Sequence, residues 1–383
     1  MKKTLAVFLI FVLFLAASKN TQAVSPGDAP QISAQCSILM EAETGTVLAE
    51  NNADAQMLIA STTKIMTALV VIEHCNLNET LKVKREYTQV EGSSMYLREG
   101  EMLRLGDVLY GLMLCSGNDA AVALACHTAG SIEKFAKLMN EKAAELGMTN
   151  SSFQNPHGLD TDRHHSTARD MAILTVSAMQ NKEFADIVST KTISVAGRSL
   201  KNHNKLLWMY DGARGVKTGF TKSAGRSLVS CAERDGMRLV CVTLNDPNDW
   251  DDHSTLYNFG FDNYKYVSPV QAGETVATIP VICGTAPEVG IVADASCKLL
   301  TDKSDEIRSV VNAPDFVYGG FAKGDSAGEM KVYSGDEEIQ SIPLHYGNDV
   351  ALDQSQKLSL GEKIKWGWNH AVKNGLLRFG YYG

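Results

Sequence analysis

Hydrophobic and polar positions change texture three times along the 383-residue chain. Leu5 to Ala17 is an unbroken apolar run behind Lys2 and Lys3. Further on, alternation at Ser37–Glu41 and Thr46–Glu50, on either side of Thr44-Gly45, predicts a first hairpin. Helical spacing then predicts helices over Thr62–His74, Gly106–Leu114, Asp119–Thr128, Ile132–Leu146 and Thr167–Met179. Strand patterns return at Lys191–Val195, Gly215–Lys217 and in a hairpin turning at Asp235-Gly236, and a helix is expected around Asp252–Tyr264. Strands at both ends with helices between them predict an α/β domain (α+β in its segregation) over residues 32–266, its middle forming a helical lobe. From Val267 to 358 the runs become short, alternating and punctuated by Gly, Asp and Ser. Thr275–Ile282, Gly290–Val292, Lys298–Leu300, Ile307–Val311, Glu329–Tyr333 and Glu338–Leu344 predict a small all-β domain.

The two ends read differently. Two lysines, an apolar run too short to span a bilayer comfortably and the small-residue site Thr21-Gln22-Ala23 predict a secretory signal peptide over residues 1–23. The alternative is an uncleaved anchor, and either reading puts the working domain outside the cytoplasm. Residues 24–31 carry two prolines and read as a linker. In 359–383, Gly361–Arg378 winds as an amphipathic helix with Ile364, Trp368, Val372 and Leu376 on one stripe. Its Trp and Lys/Arg content suits a membrane surface, the alternative being a helix packed on its own domain. Gly367 and Gly375 weaken it.

Charge and cysteines narrow the class. The chain has 36 basic and 44 acidic residues. Losing residues 1–23 removes three lysines and no acid, leaving 33 against 44 and a net charge of −11. That excludes a nucleic-acid partner as the leading reading. Eight cysteines remain, and free, mostly buried thiols are expected. The Asp235-Gly236 register pairs Cys231 with Val240 and Ser230 with Cys241, so Cys231 and Cys241 face opposite sides and should not bridge. Cys283–Cys297 is the least implausible pair. There is no CxxC, no HExxH and no metal-ligand spacing, so no cofactor or metal is expected.

Three motifs carry candidate chemistry. Ser61-Thr62-Thr63-Lys64 opens an apolar helix, and residues three apart share a face, so Lys64 sits over Ser61. A serine needs a base, and a lysine whose pKa is lowered by burial or a neighbouring cation can serve. A second S-x-x-K, Ser131–Lys134, reads only as a helix N-cap. Ser116-Gly117-Asn118 breaks two apolar helices; it is either an interhelical turn or a proton-shuttling Ser116 with Asn118 holding the substrate peptide bond. Lys217-Thr218-Gly219 ends a strand. Lys217 offers positive charge, Thr218 a carboxylate contact, and Gly219 room for another backbone. The motifs lie 55 and then 101 residues apart. A set of this kind marks class A β-lactamases and penicillin-binding proteins.

With these motifs, the chain resembles the low-molecular-mass D-alanyl-D-alanine carboxypeptidases, a family of penicillin-binding serine peptidases. The resemblance extends to Ser94-Met95-Tyr96-Leu97, Asn155-Pro156-His157-Gly158-Leu159, Ser166-Thr167-Ala168-Arg169-Asp170-Met171-Ala172 and Asn204-Lys205-Leu206-Leu207. It implies a five-stranded antiparallel sheet flanked by helices, a β domain and a membrane-surface C-terminal helix. It further implies Ser61 as nucleophile, Lys64 as base, Ser116 and Asn118 lining the site, and Lys217 and Thr218 gripping the substrate carboxylate. Backbone N–H groups of Ser61 and Phe220 would form the oxyanion hole. The implied substrate is a peptidoglycan stem peptide, and β-lactam antibiotics acylate the same serine. Phe220 and His203 stand where some members have histidine, and arginine or threonine, respectively. Thr167 with Asp170 reads as a helix cap, His157 as a loop-shaping residue, and His164 and His165 as solvated.

Three rival readings remain. A class A β-lactamase would need a deacylating glutamate, and no Glu lies between Leu146 and Lys182. A DD-endopeptidase would use the same residues, and a penicillin-binding sensor would bind without turnover.

Overall fold

The computed structural model describes residues 29–353 together with 355, 359, 361, 362, 364 and 365. The expected signal peptide, most of the linker and most of the amphipathic segment lie outside the described residues. The chain divides into two compact units between Asn263 and Tyr264.

In the first unit the strands are β1 (Cys36–Glu41), β2 (Val47–Asn51), β3 (Thr80–Lys82), β4 (Met102–Arg104), β5 (Thr192–Val195), β6 (Arg198–Lys201), β7 (Ala213–Thr221), β8 (Gly225–Arg234) and β9 (Met237–Leu244). The helices are α1 (Lys64–His74), α2 (Leu105–Leu114), α3 (Asn118–Ala129), α4 (Ile132–Glu145), α5 (Ala168–Gln180), α6 (Lys182–Ser189), α7 (Leu206–Met209) and α8 (Asp249–Asn263). Five strands form one antiparallel sheet in the order β2-β1-β9-β8-β7, so the first hairpin pairs with the last. The expected hairpin register holds: Cys231 lies opposite Val240 and Ser230 opposite Cys241. Period-2 alternation sends Ile38, Met40, Val229, Cys231, Val240 and Val242 into the core shared with the helical lobe. The other face receives α8. His253 Nδ1 and the Tyr257 hydroxyl both meet Ser230 Oγ at 2.6 Å, and a Cβ on Gly260 would strike Leu239 and Leu39.

Local signals explain several ends. Ser131 Oγ accepts from Lys134 N–H at 3.2 Å, so the second S-x-x-K is the expected cap of α4. Thr167 Oγ1 does the same for Asp170 N–H at 3.0 Å, capping α5. Two short pairings, β3 with β4 and β5 with β6, alternate over only three or four residues per strand, and of the four strands only β5 falls within an expected one.

The second unit opens with β10 (Tyr264–Val270), which claims the residue expected to end the preceding helix. It continues through β11 (Thr275–Ile282), β12 (Glu288–Ala293), β13 (Cys297–Asp302), β14 (Ile307–Asn312), β15 (Val317–Tyr318), β16 (Ser326–Ser334) and β17 (Glu337–Tyr346). β10 pairs with β13, and a six-stranded sheet runs β14-β16-β17-β12-β11-β15. Ile291, Val332, Ile342 and Leu344 fill its core. No disulfide joins Cys283 and Cys297; Cys297 keeps its thiol and donates to Gln340 Oε1 at 3.1 Å.

Candidate active site

Ser61 lies in a single 3-10 turn, Ala60–Thr63, that runs straight into α1. The turn is forced by its neighbours. Ala60 takes a left-handed φ of 46°, uncommon for a residue with a Cβ. Thr62 Oγ1 donates to Ile59 O at 2.6 Å and Thr63 Oγ1 to Ala60 O at 2.8 Å, fixing both carbonyls. Against the turn lies β7, close enough that a Cβ on Gly219 would sit 3.1 Å from Ile59 O and 3.2 Å from Thr62 N. The backbone for which Gly219 makes room is thus the chain's own nucleophile turn.

Lys64 is wholly buried at the first position of α1. Its Nζ lies 2.9 Å from Ser61 Oγ, 2.7 Å from Asn118 Oδ1 and 2.7 Å from His157 O. Burial, reinforced by the positive charge of Lys217, holds the amine well below the usual lysine range.

Each of these partners is itself held. Asn118, first residue of α3, donates from Nδ2 to Glu91 O at 2.6 Å. Next to it, buried Asp119 accepts from Ser94 Oγ and from the N–H groups of Met95 and Leu97, tying the Ser94–Leu97 segment to α3. His157 belongs to a loop closed by Asn155, whose Oδ1 accepts from Gly158 N at 2.7 Å and whose Nδ2 donates to Leu159 O at 2.9 Å. Thr67 Oγ1 of α1 donates to Pro156 O at 2.7 Å. Burial and the nearby Lys64 push the His157 ring down to about 3.

These atoms lie at one side of a cleft of about 1210 Å³ whose walls include Ser61, Ser116, Thr218, Gly219 and Phe220. Lys64, Asn118 and Lys217 stand behind the wall. Two expectations change as a result. The Asn118 amide is engaged by Lys64 and Glu91 O rather than turned to the cleft, because the buried amine needs an acceptor there. Lys217, 1% exposed, donates to Thr218 O at 2.6 Å, and burial pushes its pKa down to about 7. Ser116 has a left-handed φ of 62° and reaches the cleft, but Lys64 already holds three other partners. Among the described residues, no group of three His, Cys, Asp or Glu side chains is placed to hold a metal.

His164 corrects a further expectation. It is buried, not solvated. Its Nδ1 accepts from Gln154 N–H at 3.0 Å, so the ring proton sits on Nε2 and points to Thr63 Oγ1 at 2.8 Å. A chain of bonds thereby runs from His164 through Thr63 to Ala60 O. Sequence reasoning missed this and the His157 carbonyl; a backbone acceptor carries no residue signature, and two adjacent histidines in a polar stretch look like surface.

The sequence profile of the D-alanyl-D-alanine carboxypeptidase family matches residues 20–248. The chain belongs to that family. It is a serine-type peptidase of the hydrolase class. A second profile, the C-terminal domain of penicillin-binding protein 5, matches residues 264–352. D-alanyl-D-alanine carboxypeptidase DacF of Bacillus subtilis is 29% identical over 91% of this chain and 95% of its own length. DacC of Escherichia coli is 37% identical over 73% and 74%. Among solved structures, penicillin binding protein 6B from Escherichia coli superposes with a TM-score of 0.70 at 26% identity, covering 85% of this chain and 98% of that one. As in these carboxypeptidases, an α/β unit is followed by an all-β one, and such enzymes act on peptidoglycan outside the cytoplasm.

Proposed function

We propose that this chain removes the terminal D-alanine from peptidoglycan stem peptides, with Ser61 as the acylated nucleophile and Lys64 as its base. The observation that carries this reading is the set of three partners around Lys64 Nζ. Two of them, Asn118 Oδ1 and His157 O, are carbonyl oxygens that only accept. A neutral amine spends its two N–H groups there and is left with a lone pair. Ser61 Oγ lies 2.9 Å from that nitrogen, within reach for the lone pair to take the hydroxyl proton. Burial of the lysine shifts its equilibrium toward the neutral amine.

Ser61 Oγ then attacks the carbonyl of the penultimate D-alanine. The backbone N–H groups of Ser61 and Phe220, both of the cleft lining, receive the oxyanion, and the start of α1 adds its dipole. Thr218 hydrogen-bonds the terminal carboxylate and Ser116 passes the proton to the departing amine, both being residues of the cleft lining. Lys217 acts from behind the wall by disfavouring protonation of Lys64. Water hydrolyses the acyl-enzyme, and β-lactams stop at that ester. Export through residues 1–23 and a membrane-surface role for 361–378 complete the proposal.

The test is release of free D-alanine from an acyl-D-Ala-D-Ala peptide by the purified enzyme, with Ser61→Ala as control. Release that persists in Ser61→Ala refutes the assignment. Products from cross-linked against linear peptides separate carboxypeptidase from endopeptidase action.

A further inference from the structure

The segment from Lys201 to Lys205 alternates in a way its role in the fold does not require. Asn202 and Asn204 are buried and anchored. Asn202 Nδ2 donates to Val188 O and Thr190 O, both at 3.0 Å, and its Oδ1 accepts from Asn204 N at 2.9 Å. Asn204 Oδ1 in turn accepts from Leu206 N at 3.0 Å. The intervening residues Lys201, His203 and Lys205 are exposed, and all three line the cleft that holds Ser61. Two inward asparagines therefore fix an outward row on one wall.

The two lysines are held in place without being neutralised. Lys201 Nζ lies 5.4 Å from the ring centroid of Trp208, and Lys205 Nζ 6.0 Å from that of Trp250. Such contacts restrain an ammonium while leaving its charge available. The acids of the same walls are already taken. Glu101 pairs with Arg198 at 2.7 Å, and both oxygens of Asp249 accept from Arg226 at 2.7 Å. Neither lysine forms an ion pair among the described residues. In a chain of net charge −8 this is a local positive field on a reactive cleft. Lys217 adds to it only from behind the wall, since its ammonium is buried and donates to Thr218 O, whereas Lys201 and Lys205 present theirs at the surface.

We infer that Lys201 and Lys205 form a carboxylate-recruiting rim, the charge that draws an anionic peptide to Ser61. The inference rests on the reading of Ser61 as the acylated residue. The ligand chemistry is a substrate carboxylate, either the C-terminal one or one carried on the acyl side of the scissile bond.

The experiment uses the full-length enzyme and the double variant Lys201→Met/Lys205→Met, which keeps the aliphatic stems over the tryptophans. Two peptides are compared, one whose single carboxylate is C-terminal and one bearing a further acidic residue upstream. The expected result is a three- to tenfold rise in KM with kcat within twofold. In 0.5 M NaCl the wild type should lose a similar factor and the variant nothing. An equal rise for both peptides assigns the C-terminal carboxylate; a rise larger for the acidic peptide assigns the acyl side. Unchanged KM for both, or a fall in kcat alone, overturns the inference. A second measurement does not need turnover: the rate of Ser61 acylation by a penicillin with an extra side-chain carboxylate, relative to a monoanionic one. The double variant should be acylated more slowly than the wild type by both compounds; a larger loss for the dianionic one assigns the acyl side, an equal loss the C-terminal carboxylate, and unchanged rates for both also overturn the inference. Absence of D-alanine release with normal acylation would refute the peptidase reading while leaving this arm readable.

Discussion

Replacing Gly158 with alanine tests how the nucleophile is aimed. Gly158 has φ +87°, and a Cβ there would lie 1.8 Å from Ala60 O, where ordinary contact begins at 3.4 Å. Left-handed strain costs about 1–2 kcal/mol. Overpacking against a fixed backbone adds about 1–3 kcal/mol, so a total near 4 kcal/mol is expected. For a unit of this size that is a fall in Tm of roughly 10 °C. The geometry predicts more than instability. Gly158 adjoins His157, whose carbonyl holds Lys64, and Ala60 adjoins Ser61, so the clash pushes the base's acceptor away from the nucleophile. Misplacement on the order of 1 Å costs about 10²-fold in rate. The assay is the second-order rate of labelling by a fluorescent penicillin, alongside a thermal melt, at a temperature where the variant is folded. Gly45→Ala is the control: its φ is +73° but a Cβ there meets nothing within 4 Å. It should show the strain alone and full labelling. Labelling of Gly158→Ala within twofold of wild type, or an equal defect in Gly45→Ala, would refute the reasoning.

Two further outcomes are expected. Lys64→Met should slow penicillin labelling by roughly 10²–10⁴-fold without abolishing the fold, read by stopped-flow fluorescence and circular dichroism. Stability should fall on acidification in a window set by the buried histidines. Burial pushes His164 down to about 4, so above about pH 6.5 its ring is neutral whether folded or unfolded. Between 6.5 and 4 only the unfolded chain takes up the proton, and stability drops by on the order of 3 kcal/mol before levelling off. His157 and His253, both pushed to about 3, extend the slope. His164→Gln should flatten it in urea melts from pH 7 to 4; an unchanged slope would contradict the burial argument.

What the sequence alone determined was local or periodic. The Asp235-Gly236 turn set the register of β8 and β9, because side chains alternate with period two and a slip would expose the core. It thereby kept Cys231 and Cys241 on opposite faces. Helix spacing put Lys64 over Ser61, and short side chains at Ser131 and Thr167 announced their caps. Tertiary structure decided the rest. The sheet order joins β1 to β9 across most of the first unit, a pairing with no local cue. It decided which carbonyls meet Lys64, that Asn118 serves the lysine, that Lys217 faces inward, and that His164 is buried behind Thr63. Each depends on burial, where a polar atom must find whatever partner the packed chain places beside it. That partner is often a backbone oxygen, identical in every residue, so no sequence pattern can name it.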